Sequence, residues 1–255
     1  MPFLTLTASN KDRLKIDDNA SKWFIKSVQW QDFTDFELVI ADGGSQNYKE
    51  LEEYLCNFKG QIPMRIVQHK IDLFSRSTLN NVGIRNAHGT IVACTDVDMV
   101  FAKDFLSTAM GKIRNNNMIE SRTMYWKGPV VERIYKGELD PYNNINACRV
   151  NRIKKRTSAG GFQCMHIDNW NKINGFDQRY LIWGSEDQDL LTRVRMAGIK
   201  IEWIGESREE TRLFHQPHAK KDIKLDLEWQ EKNKKLLYNI KEYKANPNGW
   251  GGIND

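Results

Sequence analysis

Hydrophobic and polar positions along the first hundred residues follow two alternating periods. Short apolar runs, which are typical of strands, are separated by stretches whose apolar residues recur at helical spacing. The predicted strands lie in 3–7, 36–45, 63–69 and 90–101, and the predicted helices in 20–30, 47–58 and 75–87. Because several strands are apolar throughout, the pattern predicts a parallel sheet whose two faces are covered by helices.

The periodicity weakens in the segment 111–160, which is rich in Asn, Lys and Arg and for which we expect strands and long loops. The elements predicted beyond it are a helix at 186–197, a strand at 200–205 and a charged surface helix at 221–244. No inter-domain linker is recognisable. The sequence therefore predicts a single α/β domain over 1–220, followed by a C-terminal charged helix and tail over 221–255.

The composition is that of an ordinary globular protein, with 255 residues, 40% of them hydrophobic and 28% charged. No apolar run is long enough to span a bilayer, and the first ten residues lack the basic start and apolar core of a secretory signal. The cysteines are widely spaced and form no CxxC pair: Cys56, Cys94, Cys148 and Cys164. We expect reduced thiols and a cytoplasmic location, in a bacterium or a phage-infected host.

The net charge of +5 is concentrated in one segment. Residues 111–160 hold 11 Lys+Arg against 4 Asp+Glu, a local balance of +7, so the remainder of the chain carries −2. Such a segment is most often a solvated surface. A partner rich in phosphate is the sharper alternative.

Polar residues follow three of the predicted strands, at 7–10 (TASN), 42–45 (DGGS) and 96–98 (DVD). Ligands of parallel sheets bind outside the carboxyl ends of the strands, so these residues are candidates for a binding site. The 42–45 sequence is also explained by a tight turn alone. At 96–98, two carboxylates end an apolar strand and would repel each other if buried. A divalent cation resolves that conflict, and oxygen ligands suit Mn²⁺ or Mg²⁺, which could bridge a diphosphate.

Three acids follow a Trp-Gly pair in the stretch WGSEDQD at 183–189. Ser185 with Gln188 forms a capping-box pattern, and acids suit the first turn of a helix. A catalytic pair at a helix N-terminus is the second interpretation, and the two are compatible.

Two long segments carry a resemblance to a known family. The stretch SRSTLNNVGIRNAHGTIVACTDVDMVF resembles the segment that leads into the DxD motif of GT-A glycosyltransferases. The stretch GGFQCMHIDNWNKINGFDQRYLIWGSEDQDLLTRVRMAG resembles the acceptor-side motif of β-1,4-galactosyltransferases and chondroitin-polymerase-type transferases. The resemblance covers most of residues 3–218. It implies a Rossmann-like GT-A domain, with a nucleotide-sugar-binding half at 1–110 and an acceptor-binding half at 111–220.

The resemblance implies roles for individual residues. Nucleotide-sugar contacts are implied for Thr7, Ser9, Asp42, Arg76, Asn80, Asp96 and Asp98. The sugar and acceptor pocket would be shaped by Gly160, Gly161, Trp183 and Gly184. Asp187 would be the catalytic base and Glu186 the acceptor ligand, while Asp189 would support the helix.

The same resemblance implies a metal site. Asp96 and Asp98 would hold Mn²⁺ or Mg²⁺, completed by a downstream His, for which His218 is favoured over His215. His166 is expected to be a core or pocket residue.

The function implied is a metal-dependent transfer of a sugar from a UDP-sugar to an acceptor hydroxyl. The sequence Glu-Asp-x-Asp favours inversion of the anomeric configuration, because the related mucin-type transferases, which retain the configuration, carry Trp-Gly-Gly-Glu instead. The expected acceptor is a bacterial or viral glycan. The alternative is a hydroxymethylated base in DNA, bound through 111–160. A non-catalytic nucleic-acid-binding protein and a nucleotidyltransferase are further alternatives, but neither explains the 183–189 motif.

Overall fold

The computed structural model describes residues 3–126, 129–139, 160–205, 210–217 and 223–251. A seven-stranded sheet is built from β1 (Leu4–Asn10), β2 (Phe36–Asp42), β3 (Met64–Gln68), β4 (Ile91–Asp96), β6 (Asn117–Ser121), β8 (Phe162–His166) and β9 (Lys200–Ile204). A three-stranded sheet is built from β5 (Met99–Phe101), β7 (Thr123–Tyr125) and β10 (Leu213–His215).

The strand order of the large sheet is β3-β2-β1-β4-β8-β6-β9. The pairs β1–β2, β1–β4, β2–β3 and β6–β9 are parallel, and β8 runs antiparallel to both of its neighbours. The mostly parallel sheet predicted from the sequence is therefore confirmed.

The described helices are α1 (Asn19–Gln29), α2 (Tyr48–Asn57), α3 (Arg76–Arg85), α4 (Phe105–Lys112), α5 (Pro129–Tyr135), α6 (Ile167–Ile173), α7 (Glu186–Met196) and α8 (Ile223–Tyr238). No helix among the described residues is long and apolar enough to cross a membrane.

Apolar clusters cover both faces of the sheet, as the continuous hydrophobicity of β4 predicts. Ile91 and Ala93 belong to one cluster, and Val92 and Cys94 to another. Because successive strand residues point to opposite faces, the two clusters lie on opposite sides of β4. In sheets of this kind, ligands bind outside the carboxyl ends of the parallel strands.

The expectation of one strand over 90–101 is wrong. β4 ends at Asp96, and β5 begins at Met99 in the smaller sheet, where it pairs with β10. An apolar run has the same periodicity whether it forms one buried strand or two strands in different sheets. The break places Asp96 at the end of β4 and Asp98 in the connection between the two sheets.

Candidate active site

Arg76, the first residue of α3, lies at the centre of the site. Ser75 precedes it as the N-cap and accepts a hydrogen bond from the Thr78 amide at 3.1 Å. The Arg76 side chain is only 9% exposed. A buried guanidinium requires partners for its charge and its five donors.

Those partners come from both halves of the chain. Arg76 Nε donates to Asp96 Oδ1 at 2.6 Å, and Nη1 donates to Asp187 Oδ1 at 2.7 Å. Nη2 donates to the carbonyl of Gly160, and Glu186 Oε1 lies 4.0 Å from Nη1. One cation thus joins the aspartate at the end of β4 to the acidic pair at the start of α7.

Burial controls the charge of the acidic pair. It raises the pKa of Glu186 to about 7, with the negative charge of Asp187 adding to the effect and Arg76 opposing it. It also raises the pKa of Asp187, again against the influence of Arg76. The Glu186 side chain remains 12% exposed and the Asp187 side chain 22% exposed, so both are accessible to a ligand in the pocket. A carboxylate whose pKa is raised above its ordinary value is a better proton acceptor.

Two buried residues beneath this cluster were missed by the sequence reasoning. Glu120 on β6 and Gln163 on β8 are cross-strand partners. Glu120 Oε1 accepts a hydrogen bond from the Gly160 amide at 2.9 Å, and Gln163 Nε2 donates to Asp187 Oδ1 at 3.2 Å. Burial raises the pKa of Glu120. The sequence signal that could have identified them is a Glu and a Gln inside short apolar strands. Polar side chains buried in such strands require hydrogen-bond partners.

Gly160 and Gly161 leave room for these contacts. Gly160 has a φ of +112°, and a Cβ there would lie 2.0 Å from Asp187 Oδ2. A Cβ on Gly161 would lie 2.3 Å from Thr123 Oγ1. Any larger residue at 160 would therefore displace the Asp187 carboxylate or strain the backbone.

A second group of polar side chains surrounds Asp98. Its Oδ1 lies 3.7 Å from His215 Nε2, and its Oδ2 accepts a hydrogen bond from Arg13 Nη1 at 2.9 Å. Among the residues described, no group of three or more His, Cys, Asp or Glu side chains could hold a metal ion. His218, the favoured metal ligand, lies outside the described residues. His215 is therefore the histidine that the structure places beside the DxD motif.

Comparisons with known proteins show the family of this chain. The family model of glycosyl transferase family 2 matches residues 23–166, more than half of the chain. The chain belongs to glycosyl transferase family 2. A second model, described as the N-terminal domain of galactosyltransferase, matches residues 142–218, which contain the acidic pair. The resemblance indicated by the motifs is thereby confirmed.

Two relatives illustrate how partial the sequence likeness is. An uncharacterized glycosyltransferase of Rickettsia conorii is 31% identical over 117 residues, which make up 44% of this chain and 19% of that protein. Human beta-1,4-galactosyltransferase 3 is 45% identical over 56 residues, 22% of this chain and 13% of the relative. The matched stretches thus span a fifth or less of the length of these relatives.

Solved structures share the fold of this family 2 chain. GalNAc-T7 with UDP, GalNAc and Mn²⁺ superposes with a TM-score of 0.66 at 13% identity, covering 95% of this chain and 49% of that one. The catalytic domain of Drosophila beta1,4galactosyltransferase 7 with xylobiose gives 0.55 at 15% identity, covering 94% and 82%. At such identities the likeness shows the fold alone, and it confirms the predicted GT-A architecture.

Asp42, one of the residues expected to bind the nucleotide, is engaged in hydrogen bonds within the protein. The Asp42 carboxylate is fully buried and accepts hydrogen bonds from Asn10 Nδ2 at 2.7 Å, Ser45 Oγ at 2.5 Å and the amides of Gly44 and Ser45. Asp42 therefore builds the loop after β2, and a direct contact with a base or ribose stays a prediction.

Thr7, Ser9 and Asn80 lie close behind the site, where β1 packs against α3. Thr7 and Asn80 are both fully buried. Within the part of the chain that the structure describes, the Thr7 hydroxyl and the Asn80 amide make no hydrogen bond. Their expected contacts with the donor stay predictions.

Two expectations from the sequence need correction. The Ser185 side chain makes no capping hydrogen bond, because the residue has a φ of 74° in the left-handed region rather than the extended conformation of a capping-box serine. His166 pairs with Ile91 in the ladder between β8 and β4. It therefore lies at the opposite end of β4 from Asp96 and outside the pocket.

The three acids of the 183–189 motif do not point the same way. Asp189 forms an ion pair with Arg193 at 2.7 Å, in which both side chains are 2% exposed. It supports α7 from the inside, while Glu186 and Asp187 face Arg76. Helical spacing rotates position 189 by about 200° from 187, which places Asp189 on the core side when Asp187 faces Arg76.

Proposed function

We propose that this member of glycosyl transferase family 2 transfers a sugar from a UDP-sugar to an acceptor hydroxyl, with inversion at the anomeric carbon. The observation that carries the proposal is the ion-pair cluster in which Arg76 joins Asp96 and Asp187. That cluster brings the end of β4, in the proposed nucleotide-sugar half 1–110, against the acidic pair of the proposed acceptor half 111–220. Residues 221–255 form the proposed C-terminal helix and tail.

Asp187 is the proposed base. As the acceptor oxygen attacks the anomeric carbon, its proton passes to the Asp187 carboxylate, and the bond from the sugar to the diphosphate breaks with its electron pair leaving on UDP. Arg76 and Gln163 hold the Asp187 carboxylate in place. Glu186 is the proposed ligand of the acceptor. A proton acceptor on the face opposite the leaving group accounts for inversion.

Asp98 and His215 are proposed as two of the ligands of a divalent cation. A carboxylate and an imidazole within 3.7 Å of each other form a donor set that suits Mn²⁺, with Asp96 as a further oxygen donor nearby in the chain. Arg13 already neutralises Asp98, so a cation would compete with its guanidinium. When bound, the ion would neutralise the charge that develops on the departing diphosphate. GalNAc-T7 was crystallised with UDP and Mn²⁺, and a mannosyltransferase of Pyrobaculum calidifontis with GDP-Man and Mn²⁺, which supports this assignment.

The proposed acceptor is a bacterial or viral glycan made in the cytoplasm. One observation keeps hydroxymethylated DNA as a second candidate, since the sequence RVNRIKKRTSA at 149–159 places basic residues directly before Gly160. Those residues lie outside the described part of the chain. The described basic residues of 111–160 make contacts within the protein, such as Lys112 with Glu210 and Arg122 stacked on Trp203.

UDP release tests the proposal. The protein would be incubated with Mn²⁺ and a panel of UDP-sugars, alone, with p-nitrophenyl glycosides as acceptors, and with hydroxymethylated DNA. Release that depends on a glycoside supports the glycan acceptor, and release that depends on DNA supports the alternative. A folded protein that releases no UDP from any donor would overturn the proposal.

Asp187→Asn tests the assignment of the base. The substitution removes the proton acceptor but preserves the shape of the side chain, so we expect transfer to fall at least about a hundredfold. UDP binding, measured by calorimetry, should stay within about twofold of the wild type, because an isostere leaves the donor half unchanged. Full turnover by the Asp187→Asn variant would remove Asp187 as the base.

A further inference from the structure

The loop 180–185, which leads directly into the acidic pair, has an unusual backbone. Ile182, Gly184 and Ser185 all have a positive φ, of 61°, 103° and 74°. A β-branched residue in the left-handed region is strained, and such a conformation persists only where surrounding contacts impose it. The contacts that hold this loop therefore also determine where α7 begins.

One set of contacts comes from the residues before Arg76. The Ile182 amide donates to the Phe74 carbonyl at 2.7 Å, and Ser75 Oγ donates to the Tyr180 carbonyl at 3.0 Å. The loop is thus fastened to the segment that positions the central guanidinium.

The other set comes from α8, the helix that the sequence marks only as a charged surface element. Asn233 Nδ2 donates to the carbonyls of both Leu181 and Trp183, at 3.0 and 3.1 Å. The Asn233 side chain is 1% exposed, whereas Lys232 and Lys234 beside it form ion pairs with Glu228 and Glu231 on the surface. Asn is a weak helix former, so its buried place in the middle of α8 reflects this contact rather than helix propensity.

We propose that Asn233 is a positioning residue of the acceptor side of the site. Its amide fixes the carbonyls on either side of Ile182, and it thereby holds Trp183 and the start of α7 in register with Arg76. The C-terminal helix α8 then contributes to the geometry of the acceptor site. This inference rests on the proposed function, because it assigns Trp183 and the acidic pair to the acceptor.

Asn233→Asp is the sharpest substitution. It has the same shape, but it replaces the donating amide with an oxygen that faces two carbonyl oxygens, so the contact turns from attractive to repulsive. Asn239→Asp is the matched control. Asn239 is exposed directly after the last residue of α8, its amide donates to the Lys235 carbonyl, and the charge change is identical.

The experiment separates acceptor use from donor use. For both variants, transfer from a UDP-sugar to a p-nitrophenyl glycoside would be measured over a range of acceptor concentrations, together with UDP binding and the melting temperature. For Asn233→Asp we expect kcat/KM for the acceptor to fall about tenfold, with UDP affinity unchanged within about twofold. Asn239→Asp should behave as the wild type.

Wild-type kcat and acceptor KM in a folded Asn233→Asp protein would overturn the inference, as would an equal loss of UDP binding, which indicates a general structural role. If that variant does not fold, Asn233→Ser, which keeps one donor on a neutral side chain, takes its place. The same two quantities are then compared, kcat/KM for the acceptor and the affinity for UDP. Failure of the proposed function has a different signature, because the wild type itself would then release no UDP with any donor.

Discussion

At the scale of residues, the proposed chemistry depends on one cation, Arg76, that lies among three carboxylates. Burial makes the charged forms of Asp187 and Glu186 costly, and Arg76 is what keeps ionisation within reach near neutral pH. The pKa of Arg76 itself is raised well above its ordinary value, since the nearby carboxylates outweigh the effect of burial. Arg76 stays charged, while the two neighbouring carboxyl groups titrate together, so protonation of one changes the pKa of the other.

This coupling predicts the pH dependence of transfer. The base must be ionised, and burial raises the pKa of the proposed base Asp187 above its ordinary value, so the rate should fall as the pH drops and Asp187 takes up a proton. Arg76→Gln removes the charge that favours the ionised forms and should move the acid limb of kcat/KM upward by about one pH unit. Arg76→Lys, which keeps the charge, is the control. An acid limb that stays in place in Arg76→Gln would contradict the coupling.

At the scale of elements, α7 has two functions that its sequence pattern does not separate. Its first turn places Glu186 and Asp187 next to Arg76, while Asp189 and Arg193 form a buried ion pair further along the helix. Arg193 Nη1 also donates to the Gly175 carbonyl at 2.9 Å, which ties the helix to the turn after α6. The helix is therefore held by buried contacts, while its first two residues are the proposed acceptor ligand and base.

The anchor can be tested by stability. Asp189→Asn leaves the Arg193 charge buried without a counter-ion, which we expect to lower the free energy of unfolding by about 3–5 kcal/mol. The same substitution at Asp168, which is exposed in the first turn of α6, should change it by less than about 1 kcal/mol. Urea unfolding measures both variants. Equal effects would show that the buried pair contributes no more than a surface charge.

At the scale of the whole molecule, two sheets and the C-terminal helix converge on one edge. The break between β4 and β5 places Asp98 beside His215 of β10, although the two residues are far apart in the sequence. Arg76 joins the sheet edge to α7, and Asn233 joins α7 to α8 through the 180–185 loop. The site thus belongs to no single element.

The proposed cation site should show itself in thermal melting. Mn²⁺ added with UDP should raise the melting temperature of the wild type, because ligands that bind the folded state stabilise it by mass action. EDTA should abolish the increment, and so should Asp98→Asn or His215→Ala. His88→Ala, on an exposed histidine at the other end of the strands, is the control. A full Mn²⁺ increment in His215→Ala would place the metal ligand elsewhere, with His218 as the next candidate.

By itself, the sequence determined the architecture and the family. Alternating apolar runs and helical stretches predict the mostly parallel sheet, because strand and helix periods are local properties of the chain. The order of the DxD and Trp-Gly-x-Glu-Asp motifs indicated the transferase family, and their residues include most of those now found around Arg76. These signals are contained in short stretches, so the order of amino acids is enough to recognise them.

Only the tertiary structure decided which of those residues meet. Asp187 is 111 positions from Arg76 and Asn233 is 50 positions from Trp183, and no periodicity encodes such contacts. The same holds for Glu120 and Gln163 under the site, for the turn of Asp189 into the core, and for the division of 90–101 into two strands. Buried ion pairs and hydrogen bonds form where packing brings their partners together, and packing is a property of the whole fold.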